Sequence, residues 1–174
     1  MGFGMELDHV FIECSTKKLE QLVLRIRDCL DKLSPGEIWA RGNENENAIG
    51  NLVLHLNGNV RQWIIAGVGG AADTRVRDAE FEARALMETG ELLGRLDETV
   101  NEAIEVLGRV TASQLGERVT IQKYSVTVLE AIFHVVEHFS HHTGQIIFAT
   151  KMLTGEDLGF YKHLNTVAHA EKTP

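Results

Sequence analysis

The sequence contains only two cysteines, Cys14 and Cys29. Two thiols do not make a disulfide framework. They sit 15 residues apart on one predicted helix, which holds them too far from each other to bridge. A reduced, cytoplasmic setting is the expectation. Basic residues are also in short supply, 17 Lys and Arg against 25 Asp and Glu, a formal net charge of −8. That balance argues against a nucleic-acid partner, which calls for a basic face to neutralise phosphates. No apolar run is long and clean enough to cross a membrane. The first nine residues lack both a basic region and an apolar core, so no signal peptide is expected. Glu6 spoils any myristoylation signal at Gly2. Repeats and low-complexity tracts are absent, and there are only two prolines.

What is present is 44% hydrophobic residues over 174 positions, enough for one domain with a full core, read as residues 1–174. The apolar residues recur at three- and four-residue spacing in four long stretches. The first predicted helix runs from about Met5 to Leu33 and stops at Ser34-Pro35-Gly36. A polar connection follows, with Ile38 and Trp39 tucked against the rest. The second helix spans about 48–66, with Asn47 as its expected cap, and ends in Gly67-Val-Gly-Gly70. The third spans about 78–110, its core stripe including Phe81, Ala85, Leu92, Leu96, Val100 and Leu107, with a bend expected near Gly90 and Gly94. Residues 118–122 form a short extended segment, and the fourth helix covers about 125–153. Four amphipathic helices with short or medium connections predict an all-α four-helix bundle.

The fourth helix carries His134, His138, His141 and His142, half of the eight histidines. A single histidine is ordinarily a solvated or carbonyl-bound residue, and His9, His163 and His169 are read that way. Four within nine residues of a core-facing helix are different. Neutral imidazoles buried without partners cost about 1–3 kcal/mol each. A metal ion removes that cost by using their lone pairs. On the helical wheel the pairs 134/138 and 138/142 both share a face, so either can hold an ion, and His138 belongs to both. Two ligands make a weak site, and His55 on the second helix is the obvious third. Three neutral nitrogens leave a position open, the mark of a catalytic or substrate-binding ion rather than a structural one. Glu137 points away and reads as a surface charge. Asn59 and Gln145 stand where they can orient ligands or substrate, or form ordinary inter-helix hydrogen bonds.

Two blocks carry a resemblance to a known family. They are Asn47-Ala-Ile-Gly-Asn-Leu-Val-Leu-His-Leu-Asn-Gly-Asn59 and His134-Val-Val-Glu-His-Phe-Ser-His-His-Thr-Gly-Gln-Ile146. The sequence resembles the DinB-like (YfiT-like) metal-binding four-helix bundles, whose H-x-x-x-H pair closes in H-[RT]-G-Q. The resemblance implies His55, His138 and His142 as the metal ligands, with His134 and His141 left out. It implies an up-down-down-up bundle, commonly a homodimer, with zinc or nickel as the ion. Characterised relatives are transferases and isomerases that use low-molecular-weight thiols, so a thiol-dependent transferase acting on a small-molecule substrate is the leading expectation. Hydrolysis by metal-bound water and a non-catalytic metal- or ligand-binding role are the rivals. The general base that hydrolysis needs is not visible in the spacing.

Overall fold

Leu7–Leu30 forms α1 in the computed structural model, which describes residues 6–84 and 87–165. The predicted start at Met5 lies outside the described residues. Leu19, Leu22, Val23, Ile26, Cys29 and Leu30 give α1 its buried side, spaced as a 3.6-residue period requires. Leu7, Val10 and Cys14, expected on that side, are exposed. The apolar pattern runs past the part of α1 that other helices cover. After the stop at Ser34 the chain makes one short helix, α2 (Pro35–Ile38), closed by a reciprocal cap between Ser34 and Glu37. Ile38 is buried and the Trp39 indole donates to the Met87 carbonyl, 3.1 Å away.

α3 (Ile49–Val60) continues without a break into a π-helix at Arg61–Val68. Its cap differs from expectation. Ala48 occupies the capping position, and the buried Asn51 reaches back from inside the helix to accept the Ala48 N–H at 3.1 Å. Gly67 gives the π-helix a close neighbour, because a Cβ there would come within 2.3 Å of Ile121 Cδ1.

The single third helix expected over 78–110 is two helices, α4 (Arg77–Glu82) and α5 (Thr89–Leu107). The break falls ahead of Gly90 and Gly94, and tertiary hydrogen bonds explain it. Asn51 Nδ2 donates to the carbonyls of Glu80 and Ala83 at 2.9 and 3.0 Å. Arg41 takes the Phe81 carbonyl at 2.6 Å, and Arg84 takes those of Phe81, Glu82 and Ala83. With these acceptors already satisfied, the chain loses nothing by leaving the helix. Ala85, expected in the core stripe, lies outside the described residues.

After α6 (Ala112–Leu115), strands β1 (Arg118–Ile121) and β2 (Tyr124–Thr127) form an antiparallel hairpin. Gln122 and Lys123 both take positive φ, 50° and 70°, as a two-residue hairpin turn of matching twist requires. The second strand takes the residues expected to open the fourth helix. That helix, α7 (Val128–Thr154), starts later, at a capping box in which Thr127 and Glu130 exchange hydrogen bonds.

α1 packs on α7 and α5, and α3 packs on α5 and α7. This square arrangement sets α1 diagonal to α3, and α5 diagonal to α7. Phe139, Leu19, Ile26, Leu56, Leu96 and Leu107 are among the fully buried side chains in the middle. On α7 the core side is Ala131, Ile132, Val135, Phe139, Thr143 and Ile146, whereas Leu129 and Phe133 are exposed. The molecule is an all-α bundle with one small hairpin. No helix among the described residues is long and apolar enough to cross a membrane.

Candidate metal centre

The α3–α7 contact brings His55 to the fourth-helix histidines. His55, His138 and His142 each present a ring nitrogen, and the three nitrogens lie within 4.8 Å of one another. The closest pair is His55 Nε2 and His138 Nε2 at 2.9 Å. Nitrogens bound to one tetrahedral zinc at 2.0–2.1 Å stand roughly 3.3 Å apart, so this spacing already approaches what an ion needs. His55 is buried, while His138 and His142 are half-buried.

At His55 and His142 the other ring nitrogen is taken, which fixes the direction of the free one. His55 Nδ1 donates to Glu80 Oε2 at 2.8 Å. Glu80 is in turn held by Arg75, Nε to Oε1 at 2.7 Å and Nη2 to Oε2 at 2.9 Å. Arg75 Nη1 donates to Gln62 Oε1 at 2.9 Å. Phe81, next to Glu80, lays its ring 4.7 Å from that of His55, and the Arg77 guanidinium lies 4.9 Å from the centre of the Phe81 ring. His142 Nδ1 donates to Gln145 Oε1 at 2.7 Å. A carboxylate on a ligand histidine's far nitrogen is the usual partner in metal sites, where it sets tautomer and ring orientation. The donor set therefore fits an ion: three imidazoles, two of them held by their outer nitrogens.

Gly58, one turn after His55, makes room for this partner. A Cβ at Gly58 would lie 1.9 Å from Glu80 Oε1 and 2.9 Å from Arg75 Nε. Gly58→Ala is expected to push the carboxylate off His55 and weaken metal binding about 10–100-fold, the usual cost of losing such an outer partner. Competition with a chromogenic chelator measures it, and parental affinity in Gly58→Ala refutes the role given to Glu80.

Burial pulls the His138 pKa down to about 3, with the neighbouring His142, His55, His134 and Arg75 adding to the shift. Burial also lowers His142 and His134, opposed at His142 by the Gln145 hydrogen bond. At Glu80 burial works to raise the pKa, but the hydrogen bonds from Arg75 and His55 outweigh it and the carboxyl is held below its usual range. His138 is thus neutral, its lone pair available, under conditions where a free imidazole is half protonated. Once the protein is free of metal, the unfolded chain takes up protons below pH 6.5 that folded His138 refuses until about pH 3. Stability of the ion-free form is expected to fall as pH drops from 6.5 towards 4.5. The loss is smaller in His138→Gln. Melting temperatures across that interval decide it, and parallel curves for the two proteins refute it.

His134 stays outside the cluster, its ring 4.1 Å from Trp63 and stacked on His138 at 5.4 Å. His141 is exposed, 5.2 Å from the His142 ring. Gln145 orients a cluster histidine, Asn59 is buried in α3, and Glu137 is exposed. His169 lies outside the described residues. The sequence reading missed Glu80, Arg75 and Phe81. Residues 71–76 read as a linker, and nothing local singles out Glu80 near the start of the predicted third helix. The one available signal was that a buried His55 ligand needs an acceptor for its second nitrogen.

A bundle with a three-histidine cluster between two facing helices is the class that fold and site define. The sequence matches the model of the family described as "Protein of unknown function (DUF1572)" over residues 6–166, and the chain belongs to that family. No curated protein matches the sequence. Among solved structures it is similar to a conserved protein from Enterococcus faecalis, with a TM-score of 0.69 and 14% identity. The match covers 83% of this chain and 97% of that one, and establishes likeness of fold.

Proposed function

We propose that the chain is a metal-dependent enzyme of the DinB-like kind, a transferase that joins a low-molecular-weight thiol to an electrophilic small molecule. The observation that supports this is the His55–His138–His142 cluster, to which no fourth His, Cys, Asp or Glu belongs among the described residues. Zinc or nickel suits the imidazole donors. Bound there, the ion supplies Lewis acidity that favours the thiolate form of a thiol. Glu80 is already balanced by Arg75, and no carboxylate or thiolate joins the three imidazoles among the described residues. The cluster therefore leaves most of a divalent charge uncompensated, which favours an anionic partner at the open position. Glu80 is fully engaged by Arg75 and His55 and is not a free general base, which speaks for thiol transfer over hydrolysis. Phe81 packs on the His55 ring, and Trp63 packs on the neighbouring His134. In the transfer the sulfur forms a bond to carbon and the leaving group departs with the electron pair. A cytoplasmic homodimer belongs to the same reading; the exposed Leu7 and Val10 on α1 and Leu129 and Phe133 on α7 are apolar surface that a second copy would cover.

The test is elemental analysis of tag-free protein beside His55→Ala, followed by a panel of small thiols offered with an aryl halide whose displacement is coloured. About one zinc or nickel per chain, lost in the variant, with turnover dependent on both ion and thiol, is the expected result. An ion that binds without any thiol-dependent turnover refutes the transferase. No ion even after reconstitution removes the metal reading altogether.

A further inference from the structure

A cavity of about 660 Å³ opens between the 37–47 connection, the first turn of α3 and the C-terminal half of α7. Its walls include Arg41, Leu52, Gln145, Phe148 and Met152. Gln145 is the side chain that holds His142, so the cavity begins at the edge of the histidine cluster. Phe148 and Met152 are 68% and 71% exposed, large apolar groups that the bundle itself does not cover.

Arg41 gives this cavity its chemistry. Its guanidinium donates Nη2 to Asn51 Oδ1 and to the Phe81 carbonyl, both at 2.6 Å and both uncharged. Among the described residues its buried Nε has no partner. Among the described residues no carboxylate pairs with it. Burial and the nearby Arg84 both work against its charge. The two acids lining the cavity are committed elsewhere. Glu37 closes the cap with Ser34, and Glu46 accepts from Gly42 N and Asn43 Nδ2 at 2.6 Å each. A half-buried cation without a counter-ion is costly, and a carboxylate supplies the missing charge and accepts a charge-assisted hydrogen bond. The other cavity near the site, about 320 Å³ behind Glu80, offers no such vacancy. Its Arg61, Arg75 and Arg95 are paired with Glu102, Glu80 and Glu91.

We propose that this cavity binds a small molecule carrying a carboxylate on an apolar body, the carboxylate on Arg41 and the body against Leu52, Phe148 and Met152. Its role as the substrate pocket rests on the metal-enzyme reading; the binding itself does not require the ion.

Calorimetric titration of the full chain with hexanoate, hexan-1-ol and hexylamine tests it, with and without metal. The parent is expected to bind hexanoate at least about ten-fold tighter than the alcohol or the amine. Arg41→Gln and Met152→Glu are each expected to weaken hexanoate by about ten-fold or more, with circular dichroism and metal content unchanged. Arg41 also ties Phe81 and Asn51 together, so Arg41→Gln can loosen the fold. Met152 is exposed, and Met152→Glu sets a repelling charge in the wall without that risk. Hexanoate binding no better than hexan-1-ol, or unaltered in Met152→Glu, overturns the proposal. Hexanoate binding in a protein that holds no metal upholds the pocket while the metal reading fails. Metal without hexanoate selectivity refutes the pocket alone.

Discussion

Replacing His138 with Ala is expected to empty the cluster of its ion, whereas replacing His134 leaves it filled. The helical wheel allows either histidine to pair with its neighbour, but the bundle does not. His138 Nε2 stands 2.9 Å from His55 Nε2, while His134 is stacked between Trp63 and the His138 ring. Loss of a ligand exceeds the roughly 10–100-fold cost of losing an outer partner such as Glu80. The loss is visible twice: as metal content, and as melting temperature. An ion at a hundred times its dissociation constant stabilises the folded state by about 2.7 kcal/mol, and that increment disappears with it. His138→Ala should therefore melt like metal-free parent and not respond to added zinc or nickel. Equal metal retention in His138→Ala and His134→Ala defeats the ligand assignment.

One residue further along, Phe139→Ala is expected to do the opposite. Phe139 is fully buried on the core side of α7, among the largest such side chains in the molecule. Truncation removes its transfer free energy and leaves a cavity that close-packed helices fill only in part. The cost is about 3–5 kcal/mol, a large share of the 5–15 kcal/mol that holds a typical domain together. Urea titration of the metal-free proteins measures it directly. A difference below about 1.5 kcal/mol means that the bundle repacks around the missing ring. Adjacent positions thus divide the labour of α7, one turned to the ligand cluster and one to the core.

The sequence showed most of the bundle because the bundle is built from periodicity. Leu19, Leu22, Ile26 and Leu30, or Leu92, Leu96, Val100 and Leu107, bury the face that their spacing assigns. It also placed His55 on the inner side of α3, since His55 falls three residues after Leu52 on the same stripe. What it did not show depends on contacts between distant residues. The break after α4 comes from Asn51, Arg41 and Arg84 taking carbonyls, and no local pattern announces it. Glu80 carries no local signal because its partners, His55 and Arg75, are 25 and 5 residues away along the chain. The hairpin was half visible: β1 has β-forming residues, whereas β2 runs straight into the cap at Thr127 and reads as the start of the helix. Leu129 and Phe133 show the converse limit, since apolar character alone does not tell a core face from an uncovered one.

The connection from the π-helix to α4 has the composition of a loop that tolerates insertion and deletion. Its geometry says otherwise. Gln62 at one end and Glu80 at the other both grip Arg75, and Gln62 also holds Asp73 at 2.7 Å. Adding or removing a residue between Val68 and Arg77 moves Arg75 off both partners and releases Glu80 from its counter-charge. Among the described residues the stretch from Gly42 to Asn47 has no such tie to the cluster; the side-chain hydrogen bonds of Glu46 are short-range, to Gly42 and Asn43. Length variation between Gly42 and Asn47 thus leaves the histidine cluster in place, whereas between Val68 and Arg77 it does not, so a segment that looks like slack works as a ruler for the histidine cluster.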